Sequence, residues 1–232
     1  MAPAVSLVFV DVDGTLICGP PSERLFLLRL VARGLVGPPQ LLSALVFLFR
    51  WGGTYGRRTW RKDKAYLDGL AVGEVAALAR AFVDDVLLER LRPAVLRRLE
   101  AHRRAGETVV VLSGTPDFIA APLAERLGIG LTRATHCAER DGSFASDPPA
   151  FHPFAEEKLR CAAELAQTYG AELSECAAYG DSIFDAPLLG AVGRPVAVFP
   201  DRGLRRAALR AGWEVLEEPP RDLPVPTRPS ES

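Results

Sequence analysis

The chain has 232 residues, of which 48% are hydrophobic and 25% are charged, and its formal net charge is −1. This composition is typical of a globular protein with one domain and an insertion, or with two small domains, and the balanced charge gives no electrostatic basis for nucleic-acid binding. The four cysteines form no Cys-x-x-Cys pair and the N-terminus carries no basic region of a signal peptide, so we expect free thiols and a cytoplasmic protein.

The first predicted element is a buried parallel strand over residues 5–10, which are almost all apolar. Asp11 and Asp13 follow this strand at once, and Gly14 and Thr15 come next. A buried carboxylate without a partner is strongly unfavourable. We therefore expect these two carboxylates to lie either at a solvated turn or beside a positively charged group.

The next segment, residues 18–89, is predicted to be an all-helical insertion, because it contains helical patterns and no convincing strand. We call it the helical insert. Its helices are predicted over residues 22–33, 39–51 and 73–91, the first with Ser22 as N-cap and Gly34 just beyond its end, and the second ended by Gly52 and Gly53.

Beyond Pro93, strand patterns alternate with helix patterns, which indicates a parallel sheet covered by helices on both faces. The predicted fold class is therefore α/β, with a Rossmann-like parallel core made of residues 1–17 and 90–218. The proline-rich residues 219–232 are expected to be disordered. Strands are predicted within residues 108–116, 176–182 and 195–201, helices over 92–106, 116–128 and 153–170, and a hairpin that turns at Asp141 and Gly142.

Polar residues follow several of these strands at the point where each strand ends. In an open parallel sheet, ligands bind beyond the carboxyl ends of the strands. If the strands are neighbours, at least three carboxylates meet one hydroxyl and one ammonium there, and a divalent cation of hard character, Mg²⁺, is expected to bind them. The residues concerned are Asp11 and Asp13, then Ser113, Gly114 and Thr115, then Asp181 and Asp185, and Lys158 on the helix that starts near residue 154.

Four short motifs in this order resemble those of the haloacid dehalogenase-like (HAD) superfamily of phosphotransferases. DVDGTL matches the first motif, VVVLSG the second, Lys158 the third and YGDSIFD the fourth. The resemblance covers the predicted core, about two-thirds of the chain. It implies a Rossmann-like fold, a Mg²⁺ cofactor and a phosphoester substrate.

The resemblance also implies a role for each matching residue. Asp11 would be the nucleophile that forms an aspartyl-phosphate, and Asp13 would protonate the leaving oxygen and then activate water. Asp11, Asp181 and the backbone carbonyl of Asp13 would hold Mg²⁺. The phosphate would be held by Ser113, Gly114 and Thr115, while Lys158 would neutralise it and Asp185 would orient Lys158 or a metal-bound water.

The kind of reaction and the branch of the superfamily follow from three further features. An aspartate at position 13 resembles the phosphatases and mutases, and an all-helical insertion between the first two motifs resembles a C1-type cap. The end of the core, YGDSIFDAPLL, is similar to the phosphoserine phosphatase-like subfamily IB. Phe184 and Thr115 depart from the pattern of true phosphoserine phosphatases, which leaves the substrate open.

The helical insert supplies two features whose roles the sequence leaves open. Arg57, Arg58 and Arg61 form either a solvated face or part of the substrate-binding surface. The second predicted helix is more apolar than a surface helix requires, although its longest apolar run is about half of a membrane span. Beyond the interior of the insert, its apolar side chains would line the site entrance, touch a membrane surface or form a homodimer. These are Leu41, Leu42, Leu45, Phe47, Leu48 and Phe49.

The sequence thus predicts a Mg²⁺-dependent phosphatase that acts on a small or amphiphilic phosphomonoester through an aspartyl-phosphate. Three alternatives stay open: a phosphoserine phosphatase, a phosphotransferase or mutase, and a non-catalytic module of the same fold. The sequence does not distinguish a monomer from a homodimer.

Overall fold

The computed structural model describes residues 6–56 and 59–217. Six strands form one parallel sheet, and two very short strands form a separate hairpin. The strands are β1 (Leu7–Val10), β2 (Thr108–Pro116), β3 (Leu131–Thr135), β4 (Glu139–Arg140), β5 (Ser143–Phe144), β6 (Ala177–Gly180), β7 (Arg194–Val198) and β8 (Glu214–Leu216). The order in the large sheet is β3-β2-β1-β6-β7-β8, and β4 pairs with β5.

Strand β1 lies at the centre of the sheet, between β2 and β6. Phe9 pairs with Val110 on one side and with Ala178 on the other. The chain builds the sheet outward from β1 in one direction through β2 and β3, and in the other through β6, β7 and β8. The order reverses at β1, which is where open α/β sheets bind their ligands.

Nine α-helices accompany the sheet in the described part of the chain, and short 3₁₀ and π turns join some of them. They are α1 (Ser22–Ala32), α2 (Pro38–Tyr55), α3 (Thr59–Lys62), α4 (Val72–Phe82), α5 (Pro93–Arg104), α6 (Asp117–Arg126), α7 (Glu156–Tyr169), α8 (Ala186–Leu189) and α9 (Arg202–Ala211).

The sheet is covered on both faces, which confirms the predicted α/β class. Successive strand residues point to opposite faces, so Val8 and Val10 belong to one buried cluster while Leu7 and Phe9 belong to another. The first cluster contains side chains of α5 and α6, and the second contains side chains of α7, α8 and α9.

The helical insert packs directly onto one face of the core. The Phe26 ring of α1 lies 5.3 Å from the Phe82 ring of α4 and 5.5 Å from the Phe118 ring of α6, measured between centroids. The β4–β5 hairpin adds backbone bonds, since Gly69 N–H donates to Phe144 and Phe144 N–H donates to Leu70. The division of the chain into a core, an insert over residues 18–89 and a tail stays a prediction.

The prediction of Ser22 as the N-cap of the first helix was wrong. Pro21 holds the N-cap position, and Ser22 is the first residue of α1. The Ser22 hydroxyl does not bond to the helix backbone, because it donates instead to Asp13. The competing partner is the partly buried Asp13 carboxylate, whose charge-assisted bond is stronger than an ordinary capping bond.

The two glycines Gly52 and Gly53 do not end the second helix, contrary to the prediction. Helix α2 continues to Tyr55 and ends at Gly56, whose φ is +53°. Glycine in a helix costs only about 1 kcal/mol relative to alanine. The Trp51 and Tyr55 rings stack one turn apart, with centroids 5.8 Å apart, and stabilise the last turn.

The third helix of the insert is not continuous over residues 73–91. Helix α4 ends at Phe82, a π turn spans Val83–Leu87 and a 3₁₀ turn spans Leu88–Arg90. Val83 and Leu87 are both buried, so the wider π turn holds these two side chains in the core. The sequence pattern is helical throughout and does not reveal this change of winding.

Two strands were missed, and both are edge strands of the sheet. β3 and β8 are partly exposed and lack the long apolar run of a central strand.

The hairpin prediction is confirmed, since Asp141 and Gly142 have φ values of +50° and +78°, as a tight β-turn of this kind needs. Residues 219–232 lie outside the described residues. Within the described residues, no helix has the length and hydropathy of a membrane span.

Candidate active site

The predicted site residues meet at the carboxyl ends of the central strands. Asp11 directly follows β1, and Asp181 directly follows β6. Ser113, Gly114 and Thr115 were expected just beyond the end of a strand, but they lie within β2, which runs on to Pro116 and shifts register against β3 beyond Leu112. The parallel arrangement brings these strand ends together, as the sequence predicted.

Lys158 is the cation at the centre of this group. Its Nζ lies 2.9 Å from Asp11 Oδ2 and 2.6 Å from Asp185 Oδ1. Burial alone would lower the pKa of Lys158, but the two adjacent carboxylates raise it above its ordinary value. The ammonium therefore stays charged and is the expected positive partner of Asp11, whereas Asp13 is bonded to the neutral donors of Ser22 and Thr115.

Asp185 is held in place by the turn in which it lies. The backbone N–H of Ser182 donates to Asp185 Oδ2 at 3.1 Å, and the Ser182 hydroxyl donates to the same oxygen at 3.2 Å. The other oxygen of Asp185 accepts from Lys158. Asp185 thus fixes the position of the Lys158 ammonium beside Asp11.

Three carboxylates offer a site for a metal ion. Asp11, Asp181 and Asp185 place ligand atoms within 4.8 Å of one another. Burial and the neighbouring carboxylates Asp11 and Asp185 raise the pKa of Asp181 to about 8, and burial raises that of Asp11 despite the opposing effect of Lys158. Lys158 pairs with two of these three carboxylates, Asp11 and Asp185. When all three are ionised the group carries excess negative charge, and its all-oxygen ligand set fits Mg²⁺.

Gly14 allows Asp181 to approach the end of β1. Its φ is +81°, and a Cβ atom at this position would lie 2.1 Å from Asp181 Oδ2. A residue with a side chain would therefore be strained and would collide with a candidate metal ligand. The DVDG sequence thus places the two carboxylates and the glycine that makes room for the third.

Asp13 has surroundings different from those of Asp11. Its carboxylate accepts the Ser22 N–H at 2.6 Å, the Ser22 hydroxyl at 3.0 Å and the Thr115 hydroxyl at 2.8 Å. Burial raises the pKa of Asp13, and these hydrogen bonds oppose that rise. Its carboxylate is not part of the metal-ligand group, so only its backbone carbonyl stays a candidate ligand.

A chain of hydroxyl groups connects Asp13 to Ser113. The Ser113 hydroxyl donates to Thr115 Oγ1 at 3.0 Å, and Thr115 Oγ1 in turn donates to Asp13. Ser113 and Thr115 are both buried. Thr115, noted in the sequence as a departure from the phosphoserine phosphatase pattern, therefore helps to position the Asp13 carboxylate.

A cavity of about 740 Å³ opens beside these groups. One part of its wall is the set of carboxylates and Lys158, and the remainder is mostly contributed by the helical insert. The Glu23 carboxylate in this wall accepts from Lys64 Nζ at 2.5 and 2.6 Å and from the Tyr66 hydroxyl at 2.8 Å. Leu27, Leu41 and other apolar groups line the same wall.

Sequence reasoning missed several of the side chains in this wall. Glu23, Lys64 and Tyr66 carry no motif, and their meeting depends on the fold of the insert. Phe154 was also missed, and it packs in the cavity wall against Phe184, which the sequence analysis had named, with ring centroids 4.7 Å apart. The position of Phe154 four residues before Lys158 was the available signal that it lies near the site.

The three arginines proposed for substrate binding are not placed by the structure. Arg57 and Arg58 lie outside the described residues. Arg61 lies in α3, and its side chain is also outside the description. Arg24, which the sequence analysis did not single out, lines the cavity.

Comparison with known proteins gives a consistent result. A family model described as haloacid dehalogenase-like hydrolase matches residues 8–190. A probable phosphatase of Mycobacterium tuberculosis is 34% identical over 219 residues, which cover 92% of this chain and 75% of that protein. A phosphoserine phosphatase of the same organism is 32% identical over 157 residues, which cover 68% of this chain and 51% of that protein. The crystal structure of a protein of unknown function from Bordetella pertussis superposes with a TM-score of 0.67 at 25% identity. The match covers 92% of this chain and 99% of that chain.

Proposed function

The chain belongs to the haloacid dehalogenase-like hydrolase family and is a phosphatase, and from that premise we propose that it is Mg²⁺-dependent, that it acts through an aspartyl-phosphate and that its substrate is a small or amphiphilic phosphomonoester. The single observation that carries this proposal is the arrangement of Asp11, Asp13 and Lys158. The Asp11 carboxylate is paired with the Lys158 ammonium. The Asp13 carboxylate accepts hydrogen bonds from the neutral hydroxyl groups of Ser22 and Thr115.

In the first step, a carboxylate oxygen of Asp11 attacks the phosphorus atom of the substrate. The new bond joins Asp11 to phosphorus, and the bond between phosphorus and the leaving oxygen breaks. Asp13 gives its proton to that oxygen, which leaves as an alcohol. The raised pKa of Asp13, which burial causes, favours the protonated form that this step needs.

In the second step, water attacks the phosphorus atom of the aspartyl-phosphate. Asp13, now ionised, takes a proton from this water, and the bond between Asp11 and phosphorus breaks. Inorganic phosphate leaves and both side chains return to their starting state. Lys158 meets the negative charge of the phosphoryl oxygens throughout, and Ser113 and the Gly114 amide are the proposed donors to those oxygens.

Asp11, Asp181 and the backbone carbonyl of Asp13 are the residues that would hold Mg²⁺. When bound, the ion supplies positive charge against the phosphoryl oxygens and offsets the repulsion between the carboxylates. Asp185 contacts both this group and Lys158, so it is proposed to position the ammonium beside Asp11.

The shape and lining of the cavity support an amphiphilic substrate better than phosphoserine. Two acids of the insert, Glu23 and Asp63, line the cavity and are the candidates to receive the ammonium of phosphoserine. The Glu23 oxygens already accept from Lys64 and Tyr66, and one Asp63 oxygen accepts from the Ala65 N–H. Leu27, Leu41 and the apolar groups around them instead suit a leaving group with an apolar part.

A panel of phosphomonoesters assayed with Mg²⁺ tests the proposal. The panel contains p-nitrophenyl phosphate, phosphoserine, a sugar phosphate and a lysophosphatidate kept below its aggregation concentration. We expect kcat/KM to be highest for the lysophosphatidate. A preference for phosphoserine would replace the proposed substrate, and a lack of turnover on every compound would contradict the proposed chemistry.

A further inference from the structure

Helix α2 has one face packed against the protein and one face covered with exposed apolar side chains. On the packed face, Phe47 is buried and the Ser43 hydroxyl donates to Asp68 at 2.7 Å. At 100° per residue, the exposed side chains cover about 160° of the helix circumference. They are Leu41, Leu42, Leu45, Val46, Leu48 and Phe49, and we call them the α2 outer face.

The exposure of this face is large for side chains of this kind. Phe49 is 93% exposed, Leu45 64% and Leu42 62%. A few single apolar side chains on a surface are normal, whereas a continuous set on one helix face marks an interaction surface. The α2 outer face is therefore built to contact something other than water.

The charges of the surrounding sequence indicate what that partner is. Residues 24–62, which include α2, contain eight arginines and lysines and no aspartate or glutamate, although the whole chain has a net charge of −1. Arg50 is the single charged residue of α2 itself, and it is exposed. An apolar helix face within a strongly basic segment matches a surface that is both apolar and anionic.

We propose that the α2 outer face docks onto the surface of an anionic lipid membrane, with the helix lying in the interface and its apolar side chains among the lipid headgroups. A second copy of the chain is the competing partner. A symmetric dimer would place the same patch of each copy against the other. Two such basic segments would then meet, which is unfavourable even though Arg29 is paired with Asp85 in each copy, whereas anionic lipid neutralises them.

The same helix connects this surface to the active site. Leu41 and Ala44 of α2 line the cavity that contains Asp11 and Lys158. A docked α2 would hold the cavity close to the lipid surface. If the proposed function holds, a phosphomonoester with an apolar chain could then enter directly from the membrane. The docking itself does not depend on turnover and is measured without it.

Vesicle co-sedimentation of the full chain tests this proposal. The probes are vesicles of phosphatidylcholine alone and vesicles of phosphatidylcholine with one quarter phosphatidylglycerol. We expect wild-type protein to bind the anionic vesicles at least tenfold more strongly, and expect the binding to weaken at 0.5 M salt, because salt screens the attraction. The double variant Leu45→Asp with Phe49→Asp should lose at least tenfold of the binding to anionic vesicles.

The single variant Phe49→Asp, which should also lose binding, is compared with the matched control Leu209→Asp, which places the same single charge on a side chain of α9 that is 71% exposed. Leu209→Asp should bind vesicles as the wild type does. Circular dichroism and p-nitrophenyl phosphate turnover verify that each variant is folded. Turnover should be unchanged in a folded variant, because Leu45, Phe49 and Leu209 are not among the cavity residues. Vesicle binding without any turnover would keep the docking and reject the proposed function.

Three outcomes would overturn the docking proposal. The first is a wild-type protein that does not bind anionic vesicles. The second is equal loss of binding in the α2 variant and in Leu209→Asp. The third is a wild-type dimer in sedimentation velocity that the α2 variant converts to a monomer, with no vesicle binding by either protein.

Discussion

The Lys158 ammonium lies 2.9 Å from Asp11 Oδ2, at the point where the central strand of the sheet ends. The same ammonium is shared with Asp185. The lysine ammonium is a compact charge in a buried position, whereas the guanidinium group of an arginine is larger and planar. Charge alone is therefore insufficient at this position, and shape matters as well.

Lys158→Arg should lower kcat for p-nitrophenyl phosphate at least a hundredfold, which corresponds to about 2.7 kcal/mol of barrier. Steady-state kinetics at saturating Mg²⁺ provide the measurement. Lys62→Arg, the same substitution on α3, should have little effect. A mild effect of Lys158→Arg would mean that another cation neutralises the phosphoryl group.

Thr115 is predicted to matter most for substrates with poor leaving groups. Its hydroxyl holds Asp13, which is proposed to protonate the leaving oxygen. General acid catalysis contributes about 10²–10⁴-fold in rate. Thr115→Val should therefore lower kcat/KM for an alkyl phosphate at least tenfold, and should affect 2,4-dinitrophenyl phosphate much less, because that leaving group needs no proton.

The control for this prediction is Thr115→Ser, which retains the hydroxyl. It should restore most of the activity on the alkyl phosphate. Equal losses on both substrates in Thr115→Val would show that the residue supports the fold and not the proton transfer.

Metal dependence is the third prediction. Exhaustive chelation should abolish turnover, Mg²⁺ should restore it, and Ca²⁺ should inhibit, because its coordination shell is larger and less regular. Asp181→Asn removes one charge from the three-carboxylate group and should raise the half-activating Mg²⁺ concentration at least tenfold. Full activity after chelation would contradict the site.

The central part of the site could be predicted from the sequence because strand order and strand-end residues determine it. Asp11 and Asp181 directly follow β1 and β6, Lys158 lies on α7, and the parallel sheet brings these elements together. Lys158 is the positive partner that the sequence predicted for Asp11, whereas Asp13 is bonded to neutral donors.

The helical insert was less predictable because its contacts are tertiary. Ser22 has the residue type of an N-cap, yet its hydroxyl donates to the partly buried Asp13 carboxylate. The bonds from Lys64 and Tyr66 to Glu23 join residues more than 40 positions apart and follow no motif. The length of α2 depended on aromatic stacking, which outweighed the weak helix preference of two glycines.

A fourth prediction concerns stability away from the active site. Glu107 is largely buried and bonded to Arg194 and His102. Burial alone would raise its pKa, but the hydrogen bonds from Arg194 and His102 lower it to about 2. The folded state therefore favours the ionised form more than the unfolded state does, and this stabilisation is present above the unfolded pKa of about 4.5.

Glu107→Gln should accordingly lower the free energy of unfolding at pH 7, by about 1–2 kcal/mol after allowance for solvent screening. The difference from wild type should shrink as the pH falls from about 4.5 towards 2, where Glu107 becomes protonated in the folded state as well. Urea unfolding over this pH range is the measurement. Glu100→Gln, at an exposed position of α5, is the control and should show no such dependence. A difference that does not change with pH would contradict the assignment.

The central claim is that Asp11 carries the phosphoryl group between substrate and water, and trapping that group tests it most directly. Wild-type protein is mixed with a phosphomonoester labelled at phosphorus and quenched with acid within the first turnover. The account predicts an acid-stable, hydroxylamine-sensitive label on the peptide that contains Asp11, and no label in Asp11→Asn, which should be folded but inactive. Continued turnover by Asp11→Asn within tenfold of the wild type, or a label on any other peptide, would contradict the account.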